Sequence, residues 1–398
     1  MTEQAKVPAI RFAGFTDPWE QRKLGELALT YSGGTPSAGN SAYYGGEIPF
    51  IRSAEIDCDS TELSLTVAGL NNSSAKLVDK GMVLYAMYGA TSGEVAISKI
   101  KGAINQAILA MDASDMAANR FIAYWLRRQK KSITETFLQG GQGNLSGAII
   151  KELGIPQPSL DEQRQIGSFF SNLDDLITLH QRKYDKLVIF KKSMLEKMFP
   201  KDGESVPEIR FAGFTDPWEQ RKASEVFQIV DDRGHPTLPV LSATQNQGMI
   251  YRDDSGRYIG HDESNEIGYK RVLPGDFVVH LRSFQGGFAH SQYEGITSPA
   301  YTVFRAKEPT SHSDRFWKHW FMSEHFIAGL STVTYGIRDG RSISVDEFMN
   351  TFLAFPAVEE QAAISRLFDY LDDLITLHQR KLELLQNIKK SLLDKMFV

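Results

Sequence analysis

Cysteine is almost absent from this chain of 398 residues: Cys58 stands alone, which excludes an internal disulfide and a cysteine-based zinc site and fits a reducing compartment. Long apolar runs are missing too. No stretch approaches the roughly 20 apolar residues of a membrane-spanning helix, and "MTEQAKVPAI" has no apolar run after a basic start, so a cytoplasmic protein with no membrane partner is expected. Basic excess is lacking, with 44 Lys and Arg against 49 Asp and Glu and a net charge of -5. A surface that grips a polyanion unaided needs local clustering of cations or help from a partner. Catalytic signatures are missing as well. There is no Gly-Lys dipeptide for a phosphate-cradling ATPase loop, no Asp/Glu-x-Lys triplet of a metal-dependent nuclease, and no Gly-rich cofactor loop with a Pro-Pro-aromatic turn of a DNA methyltransferase. His312, His319 and His325 cluster in sequence but lack the i, i+4 spacing of a zinc helix, so no metal is expected.

What the chain does have is a duplication. "IRFAGFTDPWEQRK" occupies 10–23 and again 209–222, and "LDDLITLHQRK" occupies 173–183 and again 371–381. The displacements, 199 and 198 residues, define two halves in the same order: a shared lead, an unlike block and a shared tail. The tails end alike, in "KKSMLEKMF" and "KKSLLDKMF".

Both tails carry a heptad seam. Ile166, Leu173, His180, Leu187 and Met194 recur every seventh residue, as do Ile364, Leu371, His378, Leu385 and Leu392. Apolar residues three places later (Phe169, Leu176, Phe190; Leu367, Leu374, Ile388) complete the expected stripe. Proline followed by acidic residues in "IPQPSLDEQ" and "FPAVEEQ" marks each helix start. A helix of about 38 residues spans roughly 55 to 60 Å. An apolar seam of that length needs a partner, and antiparallel pairing of the twins would relate the halves by a pseudo-twofold axis.

The unlike blocks read as mixed α and β. "GMVLYAMYGATSGEVAIS" and "GDFVVHLRSFQGGFAHS" look like strands joined by glycine-rich turns, each followed by another extended piece and then a helix at "NRFIAYWLRRQ" or "DRFWKHWFMS". One frame is therefore used twice beneath two different surfaces. The fold class expected is α+β: two mixed α/β domains separated by two long helices that pair as an antiparallel coiled coil, in a pseudo-twofold internal repeat. The boundaries expected are 1–155 and 201–353 for the domains with their leads, and 156–200 and 354–398 for the helical regions.

Taken together, "PAIRFAGFTDPWEQRKLGEL", "PEIRFAGFTDPWEQRKASEV", the two helix-opening segments and "SPAYTVF" resemble the specificity subunit of type I restriction-modification systems over nearly the whole chain. The resemblance implies a non-catalytic DNA-recognition subunit. Each recognition domain would read one half of a bipartite double-stranded DNA target, while the coiled coil sets the spacer. The implied partners are two methyltransferase subunits and the restriction/translocase subunits. No cofactor would be bound by this chain; S-adenosylmethionine, and ATP with Mg2+, belong on those partners. A different reading from the same residues is a coiled-coil adaptor whose unlike blocks bind proteins.

Base edges are read best by Arg, Asn, Gln and Lys, with Ser, Thr and aromatics assisting. On that chemistry the DNA-binding candidates in the first block are Arg52, Tyr88, Thr91, Gln139, Gln142 and Asn144. In the second block they are Arg282, Ser283, Phe284, Gln285, Tyr335, Arg338 and Arg341.

Overall fold

In the computed structural model the described residues are 7–137, 144–201, 203–256, 263–330, 334–335 and 342–397. They form two compact units: residues 1–181 with 380–398, and residues 182–379. The last 19 residues thus belong with the N-terminal unit.

Unit one is built on a four-stranded antiparallel sheet in the order Leu29–Ser32, Ile108–Asp112, Val83–Ala86, Val95–Ile97. The helix Met116–Phe137 covers it, burying Phe121, Ile122, Trp125 and Leu126. A second sheet contains the parallel pair Tyr44–Ile51 and Gly102–Ile104. Unit two repeats the main sheet as Phe227–Val230, Thr302–Ala306, Phe277–Val279, Ala289–His290. Its covering helix breaks into Asp314–Trp320 and Glu324–Gly329, because the Ser323 hydroxyl accepts from the Phe326 amide and starts a new helix. The core of this unit is aromatic. Phe227, Phe277, Phe304, Phe316, Trp317, Phe321 and Phe348 are fully buried, with offset and edge contacts such as Phe277 to Phe304 at 5.5 Å.

The duplicated lead acts as a clamp, once in each unit. Its last four residues form a strand paired with the strand just before a long helix: Glu20–Lys23 with Gly154–Gln157, and Glu219–Lys222 with Phe352–Phe355. Arg11 donates from Nε and Nη2 to the two carboxylate oxygens of Glu162 at 2.7 and 2.8 Å, and the Trp19 indole donates to the same group at 3.1 Å. Arg210, Glu360 and Trp218 repeat this at 2.6, 2.8 and 3.0 Å. Glu162 and Glu360 lie in the first turns of the long helices Leu160–Lys197 and Val358–Met396. One residue earlier, the Ile10 amide donates to the Lys395 carbonyl and the Ile209 amide to the Lys197 carbonyl. Each lead therefore fastens the first turn of one long helix to the last turn of the other. The shared helix starts explain themselves in the same way: Gln163 donates to the Pro158 carbonyl and Gln361 to the Pro356 carbonyl, both at 2.9 Å.

The tails close the cores. Met396 and Phe397 are buried in unit one, where Phe397 meets Phe121 at 5.2 Å and Phe170 at 5.8 Å. Met198 and Phe199 are buried in unit two, where Phe199 meets Phe316 at 5.6 Å and Phe368 at 5.7 Å. Within each unit the helices run antiparallel and are tied by an ion pair, Lys389 with Asp174 in one and Lys191 with Asp372 in the other, both at 2.5 Å.

Ile166, Leu173, Ile364 and Leu371 are buried, and His180, Leu187, Met194, His378, Leu385 and Leu392 are half-buried. The complementary positions differ from the three-residue offset. Phe169, Leu367 and Leu374 are half-buried, but Leu176 and Phe190 are 46% exposed and Ile388 38%, whereas Phe170 and Phe368 are fully buried. Burial steps by four and then three, through Phe170, Ile177 and Tyr184 in the first helix and Phe368, Ile375 and Leu382 in the second. Both offsets flank a seam position on a helix of 3.6 residues per turn, and the packed side is the later one.

Candidate nucleic-acid interface

In unit one the turn after the strand Val83–Ala86 and the segment after the covering helix meet. Tyr88 forms an isolated antiparallel bridge with Asn144, and the Leu145 amide donates to the Met87 carbonyl at 3.0 Å. Tyr88 and Thr91 are half-buried and Asn144 is exposed, so three of the candidates share one surface. Arg52 does not join them. Its guanidinium is bonded to Glu55 and Glu62, which hold its pKa above the usual arginine value, and it closes the turn Ser53–Glu55. Gln139 and Gln142 lie outside the described residues.

In unit two the corresponding turn is the short helix Ser283–Gly286, which packs against the strand Ser342–Ile343. Here two sequence candidates take other roles. Ser283 is fully buried and its hydroxyl accepts from the His280 amide at 2.9 Å, and half-buried Phe284 packs on the aromatic core. Arg282 and Gln285 are exposed. Tyr335 lies in the two-residue strand Thr334–Tyr335 paired with Ser342–Ile343; Arg338 and Arg341 lie outside the described residues.

Sequence reasoning missed the hairpin beside this turn. The strands Leu241–Thr244 and Gly248–Tyr251 present Gln245, Asn246 and Gln247 at an exposed tip. A Cβ on Gly286 would come within 2.5 Å of the Gln245 Cγ, so the tip and the turn touch. The signal available was "ATQNQGMIY", amides ahead of a glycine between short apolar pieces.

His319, Asp369 and Asp372 bring ligand-type atoms within 4.8 Å of one another. The two carboxylates are already paired with Arg315, Lys318 and Lys191, so this is an ion-pair network. Burial tends to raise Asp369, but the bonds from His319 and Arg315 and the charge of Lys318 outweigh it and hold its pKa at about 2. Burial lowers His280 and His312 to about 4 and lowers fully buried His319 as well. These histidines bind protons less readily folded than unfolded. Their contribution to stability is present above the unfolded pKa near 6.5 and is lost as pH falls toward about 4. Urea unfolding followed by tryptophan fluorescence should therefore show unit two weakening between pH 6.5 and 4, and His312→Phe should flatten that slope.

Among the described residues no helix is long and apolar enough to cross a membrane. A duplicated clamp and paired helices carry two unlike candidate surfaces, with Tyr88, Thr91 and Asn144 in one unit and Gln245, Asn246, Gln247, Arg282 and Gln285 in the other. Residues 16–188 match the family described as the type I restriction modification DNA specificity domain. The MjaVIII type I restriction enzyme specificity subunit of Methanocaldococcus jannaschii is 23% identical over 398 residues, covering 95% of this chain and 92% of that one. The EcoR124I/EcoR124II specificity subunit of Escherichia coli is 25% identical over 187 residues, 42% of this chain and 46% of that one. Among solved structures, the type I restriction-modification S subunit from M. genitalium shares the fold with a TM-score of 0.57 at 13% identity, covering 99% of each chain. The chain is thus similar to type I restriction-modification specificity subunits along nearly its whole length, and residues 16–188 match that family's domain.

Proposed function

We propose that this subunit gives a modification and restriction complex its DNA target by reading the two halves of a split sequence, one with each unit. The recognition blocks are those within 1–155 and 201–353, and the helical regions 156–200 and 354–398 fix the unread gap and dock two methyltransferase subunits. Those partners bring S-adenosylmethionine, and restriction/translocase subunits bring ATP and Mg2+. This chain contributes recognition and no catalytic group.

The observation that carries this reading is the clamp. The same Arg, Glu and Trp constellation recurs within 0.1 Å in both units, yet it holds blocks whose exposed loops share almost no side chains. A frame repeated so closely under unlike surfaces suits two independent readers of one kind of ligand. Charge supports a division of labour. Residues 15–155 carry 13 Lys and Arg against 14 Asp and Glu, and residues 215–352 carry 14 against 18. Phosphate contact would then come largely from partner subunits, and base readout from these loops. The adaptor reading has no observation of its own in its favour.

Sequencing for methyl-adenine in cells that express the chain with its neighbouring methyltransferase tests the proposal. The expected result is a split motif, two short specified parts around a fixed gap, absent without the chain. Intact methyltransferase bound to the chain with no motif would overturn it.

A further inference from the structure

We infer that the hairpin tip Gln245-Asn246-Gln247, together with Arg282 and Gln285 beside it, is the base-reading element of unit two; this rests on the reading that unit two recognises one half of a DNA target. Three observations support it independently of the family.

The first is rigidity. The hairpin is paired in full register from Leu241 opposite Tyr251 to Thr244 opposite Gly248. The Thr244 hydroxyl donates to the Gly248 carbonyl at 2.8 Å and accepts from the Gln247 amide at 3.0 Å, which fixes the tip. Leu241 and Met249 are buried, and Met249 bridges in parallel to Ser291. Gly248, at φ +72°, lies so close to the sheet that a Cβ would fall 2.3 Å from the His290 carbonyl oxygen, so the hairpin is seated directly on the core. A reader must hold its donors and acceptors in place before the ligand arrives, and a two-stranded ribbon is one of the shapes the major groove admits.

The second is chemistry. Three consecutive exposed amides with an exposed arginine and a fourth amide alongside offer the forks that pair with adenine N6/N7 and guanine O6/N7. No carboxylate is interposed within either segment, 244–248 or 281–287. The third is convergence. The tip touches the turn at Gly286, and the turn packs on the strand Ser342–Ile343, so three chain segments meet on one face.

The test uses the full chain with its methyltransferase partner in cells, with methyl-adenine sequencing as readout. Variants are Asn246→Ala, Gln247→Ala and the double variant, with wild type alongside. We expect one half of the motif to lose discrimination about ten- to a hundredfold at one or two base positions, while the half read by unit one stays as it was. An unchanged motif at wild-type methylation levels would overturn the inference and leave the two-reader proposal standing. So would a uniform decline at every site with unaltered base preference, the signature of a phosphate contact. If the double variant abolishes methylation although both single variants leave the motif untouched, the tip is a structural support and the inference is likewise wrong. Absence of any split motif with the wild-type chain would instead defeat the two-reader proposal and the inference with it.

Discussion

Glu360→Ala should destabilise the second unit by about 3 to 5 kcal/mol, the usual cost of removing one partner from a buried ion pair. The side chain of Glu360 is 1% exposed and that of Arg210 13%, so the substitution strands a guanidinium and the Trp218 indole N–H in a site closed to water. The loss extends beyond one contact. Arg210 follows directly on Ile209, whose amide holds the last turn of the first long helix, so the clamp loosens both helices at once. Urea unfolding followed by fluorescence reads this directly, since Trp218, Trp317 and Trp320 all lie in unit two. Glu162→Ala should do the same to unit one, where Glu162 is 1% and Arg11 12% exposed. Replacing both Arg210 and Glu360 by methionine should cost much less than Glu360→Ala alone, because no charge is then left buried. A shift of less than about 1 kcal/mol in the single variant would show that the pair is open to solvent and that the clamp does not hold the unit together.

The clamp also explains how far the sequence could be read. Two fourteen-residue copies announce a duplication, and heptads announce long helices, because repetition and periodicity are visible without coordinates. What the lead does was not legible. Arg11 and Glu162 are 151 positions apart, and Ile10 meets Lys395 across nearly the whole chain, so nothing local marks them as partners. The tails show the same limit. "KMF" reads as a helix end, yet Phe397 and Phe199 are core residues of units whose other elements are far away in sequence.

The seam shows a different limit. Phe169 and Phe170 are adjacent, as are Leu176 and Ile177, and either of each pair could complete an apolar stripe. Only the packing partner selects Phe170, which contacts Tyr124 at 5.2 Å and Phe397 at 5.8 Å. The interface candidates divide by the same logic. Residue type drew attention to the turn at 282–285, but type alone could not distinguish exposed Arg282 from buried Ser283, one position on. The amide hairpin was passed over because its strands are four residues each, too short for alternation to stand out.

The central claim is that each unit reads its own half of the target, and exchanging one block tests it most directly. Residues 223–353 would be replaced by the corresponding block of a specificity subunit whose motif is known, with both leads and both long helices kept. Arg210, Trp218, Glu360 and Ile209 lie outside that span, so the clamp's ion pair and its hold on Lys197 are kept, while the donor strand takes over the pairing of Phe352 and Leu353 with Lys222 and Arg221. Methyl-adenine sequencing should then show one half-site replaced by the donor's, with the other half-site unchanged. Change in both halves, or in neither while the chimera still binds its methyltransferase, would contradict the account.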